Sequence, residues 1–259
     1  MKQSQAKKHD NTMTNKILMR LIALVLGLLF LEILIIHSKN EQQKSVSNQV
    51  QTARIMANGD LLYHDGLYMS ALQADGSYDF TENFTYVKPW LKQADLVLGD
   101  FEGTINPDYP LSGYPLFNAP QSVTAAISDA GYDVMDLAHN HILDSGLEGA
   151  FTTADAFKEV GIDPVGVYEN PVRDKAPLFI KNVNGIKVAI LSYAYGFNGL
   201  ESNLTEKEIA NHLSNLDEKR MKVEIERAEK EADVTVIMPQ MGVEYRLEPT
   251  DEQVKLSIR

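Results

Sequence analysis

The chain contains no cysteine among its 259 residues. This absence excludes structural disulfides, and it also excludes anchoring through a lipid-modified cysteine. No internal repeat is visible in the sequence. A folded domain of about 200 residues is nevertheless large enough to be held together by an ordinary hydrophobic core. We therefore expect a domain that is stabilised by apolar packing alone.

Positive charge is scarce outside the N-terminal segment. Residues 1–50 hold seven Lys or Arg against three Asp or Glu, whereas the whole chain has a formal net charge of −12. An acidic domain is a poor binder of nucleic acid, because binding needs Lys and Arg to neutralise phosphates. We expect no nucleic-acid partner. An anionic polymer would also be repelled unless cations or a local basic patch intervene.

One long apolar run is present, and it lies near the N-terminus. Residues 17–36 are apolar except for Arg20 and Glu32, and a helix of this length spans a bilayer. No small-residue cleavage site follows the run. The sequence predicts a basic cytoplasmic tail at 1–16, an uncleaved transmembrane signal anchor at 17–36, and a flexible stalk at 37–51. The main domain, residues 52–259, is then extracytoplasmic.

Strand-like and helix-like patterns alternate from residue 52 onward. An alternation of this kind that includes one hairpin is typical of an α/β domain with mixed sheets. We predict strands at 53–57, 96–98, 134–137 and 234–238, a hairpin of 178–183 with 187–192, and helices at 84–93, 122–130, 147–160 and 217–232. The hairpin prediction depends on Asn184-Gly185, a strong signal for a two-residue turn.

Polar side chains follow three of the predicted strands. Asp60 follows the first strand, Asp100 and Glu102 follow the second, and Asn140 and His141 follow the third. Ligands collect at the carboxyl ends of strands in open α/β sheets. A single Asp in such a place is more often a turn former. Three such strand ends together with a histidine match a phosphoesterase centre with one or two metals.

The segment from Ala138 to Gly146 is the most informative part of the chain. The amide oxygen of Asn140 can bind a cation, and His141 can donate a proton to a leaving group. The alternative is that Asp144 or Ser145 merely caps the next helix, because Ser145 and Glu148 fit a capping box.

These motifs resemble those of the CapA-type proteins of bacterial capsule and poly-γ-glutamate synthesis, whose domain is similar to the calcineurin-like metallophosphoesterases. Gly59-Asp60 resembles the first Gly-Asp of that family, and Asp100-Phe101-Glu102 stands where Asn-hydrophobic-Glu is usual. Residues 138–146 resemble Ala-Asn-Asn-His-x-x-Asp-x-Gly, and residues 240–245 resemble His-Trp-Gly-x-Glu-Tyr. The resemblance implies an α/β fold, a mixed two-sheet α/β/β/α sandwich, preceded by one transmembrane helix.

The resemblance also implies a set of site residues and one or two divalent metal ions, which would be Mn, Fe or Zn. His141 would protonate the leaving group with Asp144 beside it, and His139 and Glu244 would orient the ligands. The implied metal ligands are Asp60, Asp100, Glu102, Asn140 and Gln240.

Several departures from the family pattern bear on this site. Asp100 and His139 each replace Asn, and both remain possible ligands. Gln240 replaces His, and its neutral amide oxygen suits hard cations better than zinc or iron. A last Gly-His-x-Pro-His-type segment is absent, and the chain stops soon after a capping box at Thr250 and Gln253. We therefore expect a C-terminally truncated chain.

The resemblance implies a membrane-anchored component of capsule or poly-γ-glutamate biosynthesis and export. Its partners would be the membrane, the synthase and export subunits of a capsule complex, and an anionic polymer. Two alternatives stay open. One is a cell-surface metal-dependent phosphoester hydrolase with no tie to polymer synthesis, and the other is a non-catalytic scaffold with a degenerate site.

Overall fold

The computed structural model describes residues 19, 24–39, 50–243 and 245–257, which fall into two units, Met1–Gln51 and Thr52–Arg259. In the first unit, residues 24–39 form a helix, α1. No helix within the described residues combines the length and the apolar character needed to cross a membrane. Residues 17, 18 and 20–23 of the predicted anchor lie outside the described residues, as do the predicted tail and most of the predicted stalk.

Two β-sheets form the frame of the second unit. The first sheet is parallel, in the order β1 (Ile55–Leu62), β2 (Leu96–Glu102), β3 (Val134–Asp136) and β4 (Asp163–Val165). The second sheet places β6 (Ile186–Ala194) between β5 (Ile180–Val183), which is antiparallel to it, and β7 (Val234–Gln240), which is parallel to it. The predicted mixed α/β fold is confirmed.

Helices connect most of these strands. Three of the four predicted helices are matched to within one residue at each end, and the fourth is corrected below. The helices are α2 (Asp65–Ala71), α3 (Lys88–Leu91), α4 (Ser122–Ala130), α5 (Gly146–Glu159), α6 (Glu206–His212), α7 (Glu218–Glu231) and α8 (Asp251–Ser257).

Among the described residues of the second unit, three hydrophobic cores separate four layers, because side chains alternate between the two faces of each strand. In β2, Val97 and Phe101 pack towards the helices that cover the first sheet, whereas Leu98 packs between the sheets. In β6, Ile190 packs between the sheets, whereas Leu191 packs in a separate core that includes residues of α7. The inter-sheet core therefore holds the two sheets face to face.

The predicted hairpin is confirmed. Asn184 and Gly185 both have positive φ, 54° and 89°, which is the conformation that a two-residue type I′ turn requires. The turn joins β5 to β6, and the register pairs Val183 with Ile186.

The structure corrects three predicted elements, two strands and one helix. The first two strands run further than predicted, so Asp60, Asp100 and Glu102 lie inside strands and not beyond them. The predicted helix at 84–93 is wrong. A 3₁₀ turn at Thr81–Phe84 and the four-residue helix α3 take its place, because Pro89 lacks an N–H group and is tolerated only at the start of a helix.

Candidate functional site

Three aspartates lie side by side on neighbouring strands of the first sheet. The backbone register pairs Asp60 with Asp100, and Asp100 with Asp136. Glu102 follows on the same strand as Asp100, and a register shift in β1 lies just before Asp60. Asp136 was missed by the sequence analysis. Its signal was a charged residue inside an otherwise apolar predicted strand.

Burial sets the electrostatics of this row. Burial raises the pKa of Asp100, and the neighbouring carboxylates of Asp136, Asp60 and Glu102 raise it further. Burial also raises the pKa of Asp136, although hydrogen bonds from Ser192 Oγ and from the backbone N–H of Ala138 partly offset this effect. The charged groups that shift the pKa of Asp100 are all carboxylates, so ionisation of the row is opposed by its own members.

The row fits a cation in charge and in donor type. Asp100 Oδ1 is buried without a hydrogen-bond partner, and hard divalent cations prefer carboxylate oxygens. The arrangement fits less well. Within the described residues, no three His, Asp or Glu side chains are grouped so that they could hold a metal.

His141 lies beside the row, and Asp144 holds it in place. His141 Nδ1 is 2.8 Å from Asp144 Oδ2, and the same oxygen accepts the backbone N–H of Phe117 at 2.6 Å. His141 Nε2 is 3.8 Å from Glu102 Oε1. A carboxylate on Nδ1 favours the tautomer with the proton on that nitrogen. Nε2 is then the nitrogen that can exchange a proton with a ligand.

The capping alternative for this segment is wrong. Ser145 precedes α5, but its side chain makes no capping hydrogen bond. Its Oγ instead donates to Thr104 Oγ1 at 2.8 Å. The carboxylate of Asp144 binds His141 and Phe117, so it holds the histidine and not the helix end.

His139 supports the turn that carries His141. It is completely buried, and its Nδ1 accepts the backbone N–H of His141 at 3.1 Å. Burial, together with the nearby His141, lowers the pKa of His139 to about 3. The ring is therefore neutral at physiological pH.

Gln240 and Asn140 are hydrogen bonded to each other. Gln240 Nε2 donates to Asn140 Oδ1 at 3.4 Å, and Asn140 Nδ2 donates to Asn198 Oδ1 at 3.2 Å. The amide oxygen of Asn140 that was predicted to bind a metal thus already accepts a hydrogen bond. Asn198 was also missed by the sequence analysis, although Asn198-Gly199 is a turn signal. Glu244 lies outside the described residues.

A cavity of about 710 Å³ opens beside these groups. Of the polar residues above, Asp60, Glu102, Asn140, His141 and Gln240 line it. Aromatic side chains form part of its walls, and Arg246 is the one Lys or Arg in the lining as far as the described residues show. The aromatic lining residues are Tyr114, Phe117, Tyr195 and Tyr245.

The family of the chain is settled by sequence comparison. The family described as "Bacterial capsule synthesis protein PGA_cap" matches residues 54–259. The chain belongs to this family. The match includes every predicted site residue, and it confirms the predicted CapA-type resemblance.

Two relatives in this family carry informative names. The "Capsule biosynthesis protein CapA" of Bacillus anthracis is 32% identical over 183 residues, which cover 67% of this chain and 44% of that protein. The "PGA biosynthesis protein CapA" of Bacillus subtilis is 25% identical over 254 residues, which cover 96% of this chain and 64% of that protein. This PGA_cap chain therefore spans about half to two thirds of the length of these relatives.

One solved structure shares a partial likeness with this PGA_cap chain. It is a Staphylococcus aureus protein described as a 5′-nucleotidase, in complex with alpha-ketoglutarate. The TM-score is 0.48 at 15% identity, over 76% of this chain and 39% of that chain. A likeness at this level carries no argument about function.

We expect the Asp100→Asn variant to be more stable than the unsubstituted protein at neutral pH in the absence of divalent cations. A carboxyl group whose pKa is raised by folding favours the folded state below its unfolded pKa, and that contribution is lost as the pH rises through the folded pKa. Each unit of the shift corresponds to about 1.4 kcal/mol, so we expect a gain above about 1 kcal/mol. Urea unfolding of both proteins in the presence of a chelator, at about pH 5 and about pH 8, measures this difference in the free energy of unfolding.

The matched control for this prediction is Asp155→Asn. The Asp155 side chain is 57% exposed and pairs with Lys158 on the surface of α5. We expect it to change the free energy of unfolding by less than about 0.5 kcal/mol at both pH values. A loss of stability in Asp100→Asn at about pH 8 would contradict the conclusion that burial and the neighbouring carboxylates oppose ionisation of Asp100.

Proposed function

We propose that this chain is a membrane-anchored extracytoplasmic component of capsule or poly-γ-glutamate biosynthesis and export. The observation that carries the proposal is family membership over residues 54–259, together with relatives named for capsule and PGA biosynthesis. The apolar run at 17–36 and the basic tail before it would provide the anchor. The partners would be the membrane and the synthase and export subunits of the polymer complex.

At the site, we propose phosphoester hydrolysis with His141 as the proton donor. The support is geometric, because Asp144 binds Nδ1 while Nε2 lies on the side of Glu102, which lines the cavity. Proton transfer by a positioned side chain contributes about 10²–10⁴-fold to a rate. In this arrangement Asp144 holds the Nδ1 proton and fixes the ring, so that a second ring proton, carried on Nε2, can pass to a leaving group in the cavity and leave the neutral imidazole with its proton on Nδ1.

A divalent cation belongs to this proposal. Asp60, Asp100 and Glu102 would hold it, and it would polarise a phosphoryl oxygen when bound. Because the donors are oxygens and His139 is buried within the turn, Mn is favoured over Fe or Zn.

A non-catalytic scaffold is the second candidate, and one observation favours it. Gln240 Nε2 donates to Asn140 Oδ1, so the Asn140 oxygen is engaged by a protein group. Both candidates place the protein in polymer synthesis. A stand-alone surface hydrolase would be independent of the polymer.

The experiment compares a deletion of the gene with His141→Gln and Asp60→Asn variants of the full chain. Cell-surface and secreted polymer are measured, and the purified full-length proteins are tested with Mn²⁺ and bis-p-nitrophenyl phosphate. We expect hydrolysis to fall about 10²–10⁴-fold in His141→Gln and polymer to be lost with it. His212→Gln is the control, since His212 bonds the backbone of Tyr168 and does not line the cavity.

The outcomes separate the three functions. Polymer that persists in hydrolysis-deficient variants but not in the deletion identifies a scaffold. Polymer that persists in the deletion identifies a stand-alone hydrolase. Mn²⁺ binding by calorimetry that is unchanged in Asp60→Asn would overturn the assignment of Asp60 as a ligand.

A further inference from the structure

Asn198 occupies an unusual backbone position close to the site. It follows β6 in the second sheet, and its φ of 53° lies in the left-handed region, with Gly199 next at 81°. Residues other than glycine seldom adopt this conformation, although Asn tolerates it better than most. The backbone is turned here in a way that only a few residue types permit.

The side chain of Asn198 contacts two central residues of the site. Its Oδ1 accepts a hydrogen bond from Asn140 Nδ2 at 3.2 Å. Its Nδ2 lies 3.4 Å from Nδ1 and 3.3 Å from Nε2 of His141, almost equidistant from the two ring nitrogens. The amide thus faces the imidazole and Asn140 at the same time.

These contacts complete a continuous chain of hydrogen bonds across the site. Gln240 at the end of β7 donates to Asn140, and Asn140 donates to Asn198. On the other side of His141, Asp144 accepts from the backbone N–H of Phe117. Asn198 is the residue that links the amides of Gln240 and Asn140 to the imidazole of His141.

The ring of His141 is held from several directions. Asp144 fixes Nδ1, and the ring of Phe117 meets the imidazole edge to face at 4.8 Å between centroids. Asp144 and Phe117 both belong to loops of the first sheet, after β3 and after β2. Asn198 contacts the ring from a segment that follows β6 of the second sheet.

We infer that Asn198 is a positioning residue, which sets Asn140 and His141 in one fixed relation by contacting both from the second sheet. This role rests on the proposed function only where it concerns catalysis. The placement of Asn140 and His141 by Asn198 is a property of the folded chain and does not depend on the reaction. Partners that orient active groups typically contribute about 10–100-fold to activity.

A turn-forming asparagine without any role in the site would look different, and the chain contains one. Asn184 has nearly the same φ, 54°, but lies in the hairpin turn, where its Nδ2 donates to the backbone oxygen of Thr52. Asn184→Gly is therefore a matched control for Asn198→Gly. Glycine accepts positive φ, so both variants remove the side chain without adding backbone strain.

The first measurement is NMR of the full chain labelled with ¹⁵N-histidine, with the His141 signals assigned from His141→Gln. We expect Asn198→Gly to shift the ring nitrogen signals of His141 and to leave those of His212 in place. Asn184→Gly should leave His141 unchanged. Unaltered His141 signals in a folded Asn198→Gly protein would overturn the inference.

The second measurement is steady-state hydrolysis of bis-p-nitrophenyl phosphate with Mn²⁺. We expect kcat to fall about 10–100-fold in Asn198→Gly with KM little changed, since the substitution removes orientation and not a binding contact. An equal fall in Asn184→Gly would contradict a local role. If the unsubstituted protein shows no hydrolysis, the proposed chemistry fails, and the histidine signals alone decide the inference about Asn198.

Discussion

Replacing Arg173 by alanine is expected to lower the free energy of unfolding by about 3–5 kcal/mol. The Arg173 side chain is 1% exposed and pairs with Glu224 through two bonds, Nη2 to Oε2 at 2.9 Å and Nε to Oε1 at 3.1 Å. Its Nη1 also donates to the backbone oxygen of Leu213 at 3.1 Å. Without Arg173, the Glu224 carboxylate keeps only the more exposed Arg220, whose Nε lies 3.5 Å from Glu224 Oε1, as a cationic partner among the described residues, and the loss of one member of a buried ion pair is strongly destabilising.

The surroundings of the pair make the loss large. Tyr193 donates its hydroxyl to the same Glu224 carboxylate at 2.8 Å, and the guanidinium carbon of Arg173 lies 5.6 Å from the centre of the Tyr193 ring. Glu224 of α7 thus binds both Tyr193 of β6 and Arg173, which lies in a 3₁₀ turn at Arg173–Lys175. The Arg173→Ala substitution removes both the ion pair with Glu224 and the contact of the guanidinium with the Tyr193 ring.

Urea unfolding of the full chain measures this effect, and Arg227→Ala is the control. Arg227 pairs with Glu231 at 2.8 Å on the same helix, but both side chains are nearly half exposed. Exposed pairs of this kind contribute about 0.3–0.5 kcal/mol. If Arg173→Ala costs no more than Arg227→Ala, the buried pair does not stabilise the fold more than an exposed pair does.

Gly166→Ala is expected to destabilise the protein by about 1–3 kcal/mol more than Gly161→Ala. Both glycines have positive φ, 95° and 80°, so both substitutions carry similar backbone strain. They differ in the space available for a methyl group. A Cβ at Gly161 meets nothing within 4 Å, whereas one at Gly166 lies 2.7 Å from Ala138 N and 2.8 Å from Ser192 Oγ.

The steric conflict at Gly166 cannot be relieved cheaply, because Ala138 N is a backbone atom. The same N–H donates to Asp136 Oδ1 at 2.8 Å, and the Ser192 hydroxyl donates to that oxygen as well. A methyl group there would push against both donors that stabilise the ionised Asp136. Urea unfolding of the two variants measures the difference in the free energy of unfolding. Equal losses in the two variants would show that the two sheets move apart at Gly166 without an energetic cost.

Local signals in the sequence predicted much of the fold. The hairpin was correct because Asn184-Gly185 specifies its own turn. The helix Ser122–Ala130 was correct at both ends, and Gly131 ends it with a φ of 107°. The helix at 84–93 was not correct, since the effect of Pro89 depends on where the helix begins.

The site was only partly predictable, for a physical reason. The first two strands were predicted to end at Ala57 and Leu98, because the Asn, Gly and Asp residues that follow them are typical of turns. The structure buries Asp100 and Asp136 in adjacent strands, and that arrangement depends on a register between segments distant in sequence. Asn198 reaches the site only through the packing of one sheet on the other, which no local pattern encodes.

The hydrogen-bond chain from Gln240 to Phe117 begins in one sheet and ends in a loop of the other. Its length is therefore set by the thickness of the apolar layer between the sheets, where Leu98 and Ile190 pack. Side-chain volume in that layer acts as a spacer for the imidazole and the amides. A larger or smaller side chain at Ile190 would change the spacing between the imidazole and the amides, without altering any polar group of the site.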